Sequence, residues 1–264
     1  MLYFCFLIFS NRISAQCIDR PPVFEPGETI HYEVAYNWGF LWVDAGEVYF
    51  KADTVTRDGK FCYYFDSFGK SYSFYDWIFK VRDRYQSYVD TAAFQPISFI
   101  RDTYEGGYEV NNRYDFDFDN GKVKSSISHS DKPLTVDTLE IKPCTFDVLT
   151  AIYYARNLDF DGMKIGDTVP IWFIIDGEIF ELYIRYLGRE KYKNRDGIKY
   201  NCIKFSAMLV EGTIFKGGED LYVWVTDDRY KIPIMVEAKI IIGSVKAYLI
   251  GYEGIAGFLN QVNK

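Results

Sequence analysis

Two histidines, His31 and His129, are the only ones in the sequence and hence the first candidates for a catalytic base near neutral pH. His31 lies in an alternating apolar and polar run that predicts a strand, where a structural role is expected. His129 lies in a polar stretch. No Gly-x-Ser-x-Gly motif accompanies either histidine. We therefore assign no catalytic residue, and the sequence favours a protein without enzymatic activity.

Acidic residues suggest two other chemistries. Asp115, Asp117 and Asp119 follow the spacing of a calcium-binding loop, but Asn120 stands where that loop needs glycine and Ser126 where it needs a carboxylate. Alternation in a strand places the three carboxylates on one solvated face. We expect no metal site and no cofactor.

Asp227 and Asp228 are adjacent carboxylates in a stretch that also fits a turn between strands. Because 37 acidic residues guarantee some close pairs, proximity alone carries little information. A metal-free hydrolase that works through carboxylates stays open as an alternative. It predicts a deep cleft with an aspartate or glutamate of raised pKa.

Aromatic residues make up 19% of the chain, which favours β-structure. Trp38, Phe40 and Trp42 fall on one face if the chain is extended there, with a glycine that permits close approach. They are the candidate ligand-binding residues, for an apolar or glycan-like ligand, and core packing is the alternative. A second aromatic cluster between Phe68 and Phe79 is expected to pack in the core.

The first fifteen residues predict a signal peptide, with an apolar run from Leu2 to Phe9 and the small residue Ala15 at the cleavage position. The run is too short to span a bilayer, which takes roughly 20 apolar residues. We expect cleavage after Ala15, a mature chain without a transmembrane segment, and a periplasmic or secreted location. The net charge of −7, without a basic cluster, argues against nucleic acid and anionic lipid as partners.

Four cysteines remain after cleavage, and none is spaced as Cys-x-x-Cys, which argues against zinc. In an oxidising compartment they permit three disulfide connectivities. Cys17 and Cys144 lie outside the repeated segments described below, where a bridge would tie down the N-terminus, so we favour that pair. Cys62 and Cys202 then remain as buried thiols.

Strand-like runs separated by turn signals fill most of the sequence, and residues 146–157 alone show helical spacing. Similar features recur with a near-constant offset, which predicts half-repeats at about 27–105 and 166–252. Chance recurrence of turns is the alternative. We expect one β-rich domain over residues 16–264. It should be an antiparallel barrel or curved double sheet of two β-meander halves, with one helix between them.

The sequence resembles the family of uncharacterised exported bacterial proteins called domain of unknown function 3108. The resemblance covers most of the mature chain and rests on the segments Gly27–Tyr32, Asp44–Glu47, Asp147–Arg156, Gly162, Gly166, Leu221–Asp228 and Pro233. It implies a β-rich fold and an envelope or secreted location, and it implies no catalytic residues.

Together these observations favour an exported protein that binds an apolar or glycan-like envelope ligand without catalysis. A structural partner in envelope assembly is a further alternative, and it predicts an exposed apolar patch instead of an enclosed cavity. The sequence leaves the oligomeric state open.

Overall fold

The computed structural model describes residues 16–38, 41–210, 218–240, 243–257, 259 and 261–262; the expected signal peptide, residues 1–15, lies outside them. The described chain is mainly β, as predicted. In chain order its elements are β1 (Glu28–Trp38), β2 (Leu41–Arg57), β3 (Lys60–Ser71), α1 (Asp76–Phe79), β4 (Val81–Asp90), β5 (Pro96–Glu105), β6 (Tyr108–Asp117), β7 (Lys122–His129), β8 (Lys132–Glu140), β9 (Thr145–Phe146), α2 (Val148–Asn157), β10 (Thr168–Ile175), β11 (Glu178–Lys193), β12 (Lys199–Leu209), β13 (Gly218–Thr226), β14 (Pro233–Lys239) and β15 (Ser244–Glu253).

All of these strands belong to one sheet of 15 strands, in the order β8-β7-β6-β5-β4-β3-β2-β1-β15-β14-β13-β12-β11-β10-β9. Two meanders therefore meet where β1 pairs with β15. Neighbouring strands are antiparallel except β9 and β10, which are parallel. Since β8 and β9 stand at opposite edges, the sheet is not closed into a barrel.

The two expected half-repeats correspond to two runs of strands. Residues 27–105 contain β1 to β5, and the segment that begins at 166 contains β10 to β15. In each half the second and third strands are joined by a tight turn with a glycine of positive φ, Gly59 at 75° and Gly197 at 86°. A common origin of the two halves stays a prediction.

The predicted helix is confirmed as α2. Its N-terminus is capped by Asp147, whose Oδ1 accepts from the main-chain N–H of Thr150 at 3.0 Å. The hydroxyl groups of Thr150 and Ser87 also donate to this carboxylate, at 2.7 and 2.6 Å. Because Ser87 belongs to β4, the same buried carboxylate begins the helix and fixes it to the sheet.

The core lies between α2 and the sheet, where the helix contacts β3, β4, β9 and β10. The ring of Tyr153 stacks on Phe65 of β3, with ring centroids 3.9 Å apart. Around them lie further buried apolar side chains, Phe24, Phe94, Phe146 and Leu149. Burial of each such side chain contributes roughly 1.5–3 kcal/mol. Leu149 and Tyr153 of α2 belong to this cluster, so the helix is part of the core at this place.

A second helix, α1, was not expected. It follows β3 inside the aromatic cluster for which we predicted core packing, and none of its residues is buried. None of the helices in the described ranges has the length and apolar character needed to cross a membrane.

A disulfide joins Cys17 to Cys144, with Cα atoms 5.5 Å apart. It attaches the segment before β1 to the residue before β9. Cys62 and Cys202 are free thiols in buried positions, and burial raises the pKa of the Cys202 thiol to about 12. That thiol is therefore protonated and unreactive near neutral pH.

Candidate docking surface

Six large apolar side chains are exposed near two neighbouring connections of the sheet. They are Leu41, Trp42, Phe74, Trp77, Ile78 and Phe79, each between 40% and 80% exposed. We call this group the apolar end. Scattered exposed apolar residues are ordinary on protein surfaces, but a group of this size near two connections is a candidate binding surface.

The connection from β3 to β4, which includes α1, is held by polar groups. The Asp76 carboxylate forms a bidentate ion pair with Arg82, with contacts of 3.1 and 2.6 Å. It also accepts from the Ser71 hydroxyl at 2.6 Å, and Ser71 accepts from the N–H of Val81 at 3.0 Å. The arginine holds the pKa of the Asp76 carboxyl below its usual value. Polar side chains therefore fix the segment while its apolar side chains face solvent.

The connection from β1 to β2 contains the residues predicted to bind a ligand. Phe40 and the side chain of Trp38 lie outside the described part of the chain. The main chain reverses here, since Trp38 pairs with Leu41 and Asn37 pairs with Trp42. The expected single strand face through 38–42 is therefore wrong. Trp42 itself is exposed and belongs to the apolar end.

A lysine lies against the Trp42 ring. The Lys246 ammonium of β15 is 4.6 Å from the ring centroid, which is the geometry of a cation–π contact. Lys80, exposed beside Phe79, has its ammonium 5.4 Å from the Tyr104 ring. Cationic groups therefore flank both parts of the apolar end.

Two hydrogen bonds from Tyr72 attach the connection from β3 to β4 to strands β2 and β1. The N–H of Tyr72 donates to the carbonyl of Ala45 at 2.9 Å, and its hydroxyl donates to Glu33 at 3.1 Å. On the other side, Phe79 packs over Gly106 in the turn from β5 to β6. A Cβ at Gly106 would lie 2.3 Å from Cε2 of Phe79, so any larger residue there would displace the exposed ring.

Two surface pockets lie away from the apolar end's connections. One of about 390 Å³ is lined by Val55, Thr56, Arg57, Tyr64, Tyr88, Ile100 and Arg113. Tyr64 precedes the core residue Phe65 in β3, so this pocket opens on the face away from α2. The Arg57 guanidinium already covers the Tyr88 ring, 4.3 Å from its centroid. A second pocket, of about 210 Å³, includes His31, Tyr49 and Phe68.

The other residues considered for chemistry have structural contacts. His129 lies 3.1 Å from the Tyr108 hydroxyl. Asp117 accepts from the side chain and main chain of Asn120 in the turn after β6. Asp228 accepts from the Thr226 hydroxyl at 2.8 Å and from main-chain N–H groups in the turn before β14. Each therefore has a role in a turn or a strand pair.

One carboxyl group has the property expected for the hydrolase alternative. Burial, and then the charge of Glu105, raise the pKa of Asp83 on β4 to about 7, against the opposing effects of the Tyr104 N–H and Arg101. Its Oδ1 has no hydrogen-bond partner. Neither of the two pockets is lined by Asp83 or Glu105. The signal that could have located Asp83 in the sequence is weak, because an isolated aspartate in a strand is usually solvated.

Comparisons with known proteins define the fold and the family. The fold is similar to a crystal structure of a beta-barrel-like protein of domain of unknown function DUF1849 from Brucella abortus. The TM-score is 0.57 at 9% identity, over 86% of this chain and 97% of that chain. The family model for proteins of unknown function DUF3108 matches residues 31–250, which confirms the resemblance noted in the sequence. None of the curated proteins compared with the chain matches it significantly.

Proposed function

We propose that this chain, which belongs to the DUF3108 family of proteins of unknown function, is an exported, non-catalytic protein that binds lipid through its apolar end. The observation that carries this proposal is the exposure of Trp77, Ile78 and Phe79 on a helix that buries none of its residues. Their side chains contribute little to folding, so their apolar character needs another explanation.

The composition of the apolar end favours a lipid surface over a dissolved ligand. Tryptophan side chains are typical of the membrane–water interface, where an apolar ring and a polar N–H are both satisfied. A lysine on the surface, here the exposed Lys80, can reach phosphate groups while the rings enter the acyl region. Each side chain contributes roughly 1.5–3 kcal/mol when fully buried, so partial insertion is enough for reversible binding.

The net charge of −7 sets the expected lipid preference. An acidic protein is repelled by anionic lipid, so binding should depend on apolar contact and change little with salt. Export is supported by the predicted signal peptide and by the disulfide, since disulfides persist in oxidising compartments.

Flotation with phosphatidylcholine vesicles tests the proposal. The mature protein should float with the vesicles, and the variant Trp77→Ser, Ile78→Ser, Phe79→Ser should bind at least tenfold more weakly. Phe61→Ser is the matched control, because Phe61 is comparably exposed at the opposite end of β3. It should bind within about twofold of the wild type.

Two results would contradict lipid binding. One is a lack of flotation with any vesicle composition, which would indicate that the apolar end binds a protein partner in envelope assembly instead of lipid. The other is equal loss of flotation in Phe61→Ser, which would show nonspecific adhesion. Displacement from the vesicles by an oligosaccharide would favour the glycan-like ligand instead.

A further inference from the structure

The strand β8 is an edge of the sheet with a free side. Among the described residues it pairs with β7 alone, and eight of its nine residues are exposed. Leu134 and Val136 are 62% and 52% exposed on it. A long exposed edge with apolar side chains is a template for pairing with another strand.

The direction of the free main-chain groups follows from the β7–β8 ladder. Just beyond the strand, the N–H of Ile141 donates to the carbonyl of Gly121 at 2.9 Å. The register is unbroken from there back to the pair of Thr135 with Ile127. Because main-chain groups alternate sides along a regular strand, Val136 and Thr138 present theirs outward.

We infer that β8 pairs with the β8 strand of a second copy of this chain, antiparallel and centred on Val136. In this register Val136 faces its own equivalent and Leu134 faces Thr138 of the other copy. The N–H and C=O groups of Val136 and Thr138 point outward, so the two copies can form hydrogen bonds there without a change in β8. The pairing joins two sheets into one continuous sheet.

Charge favours this register. The antiparallel pairing brings Lys132 of one copy level with Glu140 of the other, twice by symmetry. It also sets Asp137 opposite Thr135. A centre at Asp137 would set the Asp137 carboxylates of the two copies opposite each other, and like charges directly opposite destabilise a strand pair.

The neighbouring bulge is compatible with the pairing. The register of β7 and β8 shifts between Ile127 and His129, which places Pro133 and Leu134 together opposite one residue of β7. Proline has no N–H to donate. In the proposed dimer Pro133 faces Leu139 of the other copy, a position where no main-chain hydrogen bond between the two β8 strands is required.

Cysteine cross-linking tests the geometry directly. In Val136→Cys the two Cα atoms would be about 5.5 Å apart, which is the spacing of a hydrogen-bonded pair and suits a disulfide. In the control Thr138→Cys the equivalent atoms are four residues out of register, roughly 13 Å apart. Under mild oxidation Val136→Cys should form covalent dimers at least tenfold faster. Equal or absent cross-linking in both variants would overturn the inference.

Charge reversal gives an independent test by sedimentation of the mature protein. Lys132→Glu should weaken the dimer at least tenfold, since two pairs of like charge then face each other. Lys132→Glu with Glu140→Lys should restore it, because opposite charges face each other again. A wild-type protein that stays monomeric at high concentration, or a double variant as weak as the single one, would overturn the inference.

Discussion

Arg156 of α2 and Glu28, the first residue of β1, form an ion pair that is almost completely buried. Their side chains are 3% and 1% exposed, and the two hydrogen bonds measure 2.5 and 3.0 Å. A third hydrogen bond from Arg156, to the carbonyl of Tyr230 at 2.9 Å, connects the helix to the segment before β14. One guanidinium thus joins the helix to both meanders.

Replacement of Arg156 by methionine should lower the free energy of unfolding by about 3–5 kcal/mol, because the Glu28 carboxylate is left buried without its partner. Urea denaturation followed by circular dichroism measures this. Glu28→Leu combined with Arg156→Met should recover much of the loss, since no unpaired charge remains. A single variant as stable as the wild type would show that the pair does not hold the helix.

Loss of the disulfide should also destabilise the fold. The bridge between Cys17 and Cys144 closes a loop with a sequence separation of 127 residues, and loops of this size contribute about 2–5 kcal/mol. The variant Cys17→Ser, Cys144→Ser should unfold at lower urea concentration. A reductant should lower the stability of the wild type to that of the variant and leave the variant unchanged. Equal stability of wild type and variant without reductant would contradict this.

Gly106→Ala should disturb the apolar end through Phe79. The added Cβ would meet the Phe79 ring, and the positive φ of 60° adds strain of about 1–3 kcal/mol. We expect weaker flotation with vesicles. Gly107→Ala is the control, because its φ of 99° is also strained but a Cβ there has no neighbour within 4 Å. If both variants bind vesicles equally well, Phe79 has no part in docking.

The folding stability should fall as the pH rises from 5 to 7. Because burial raises the pKa of Asp83 to about 7, the folded state binds a proton in this range that the unfolded chain has released. The slope from one such group is at most about 1.4 kcal/mol per pH unit. Asp83→Asn should flatten the profile of urea midpoint against pH. An unchanged profile would mean that Asp83 is ionised in the folded protein.

Several elements could be predicted because their signals are local. The helical spacing over residues 146–157 located α2, which spans Val148–Asn157 in the structure. Glycine turns and alternating strands gave most of the meander order. These features depend on residues close in sequence, where periodicity and turn chemistry act directly.

The apolar end could not be predicted from pattern alone. The aromatic residues around Trp77 suggested core packing, because an apolar side chain in a sequence carries no mark of whether another element covers it. Exposure is decided by the Ser71, Asp76 and Arg82 contacts that fix the connection. The open edge at β8 depends likewise on where the sheet stops, which no local pattern states.

The central claim is that α1 enters lipid, and an environment-sensitive fluorophore on Ile78→Cys tests it most directly. The two free thiols in the described part of the chain are buried, so the engineered cysteine of the mature protein should take the label selectively. Addition of phosphatidylcholine vesicles should shift the emission to the blue and shield the label from an aqueous quencher, whereas the same label on Phe61→Cys should not respond. A label on residue 78 that remains fully quenched in the presence of vesicles would contradict the account.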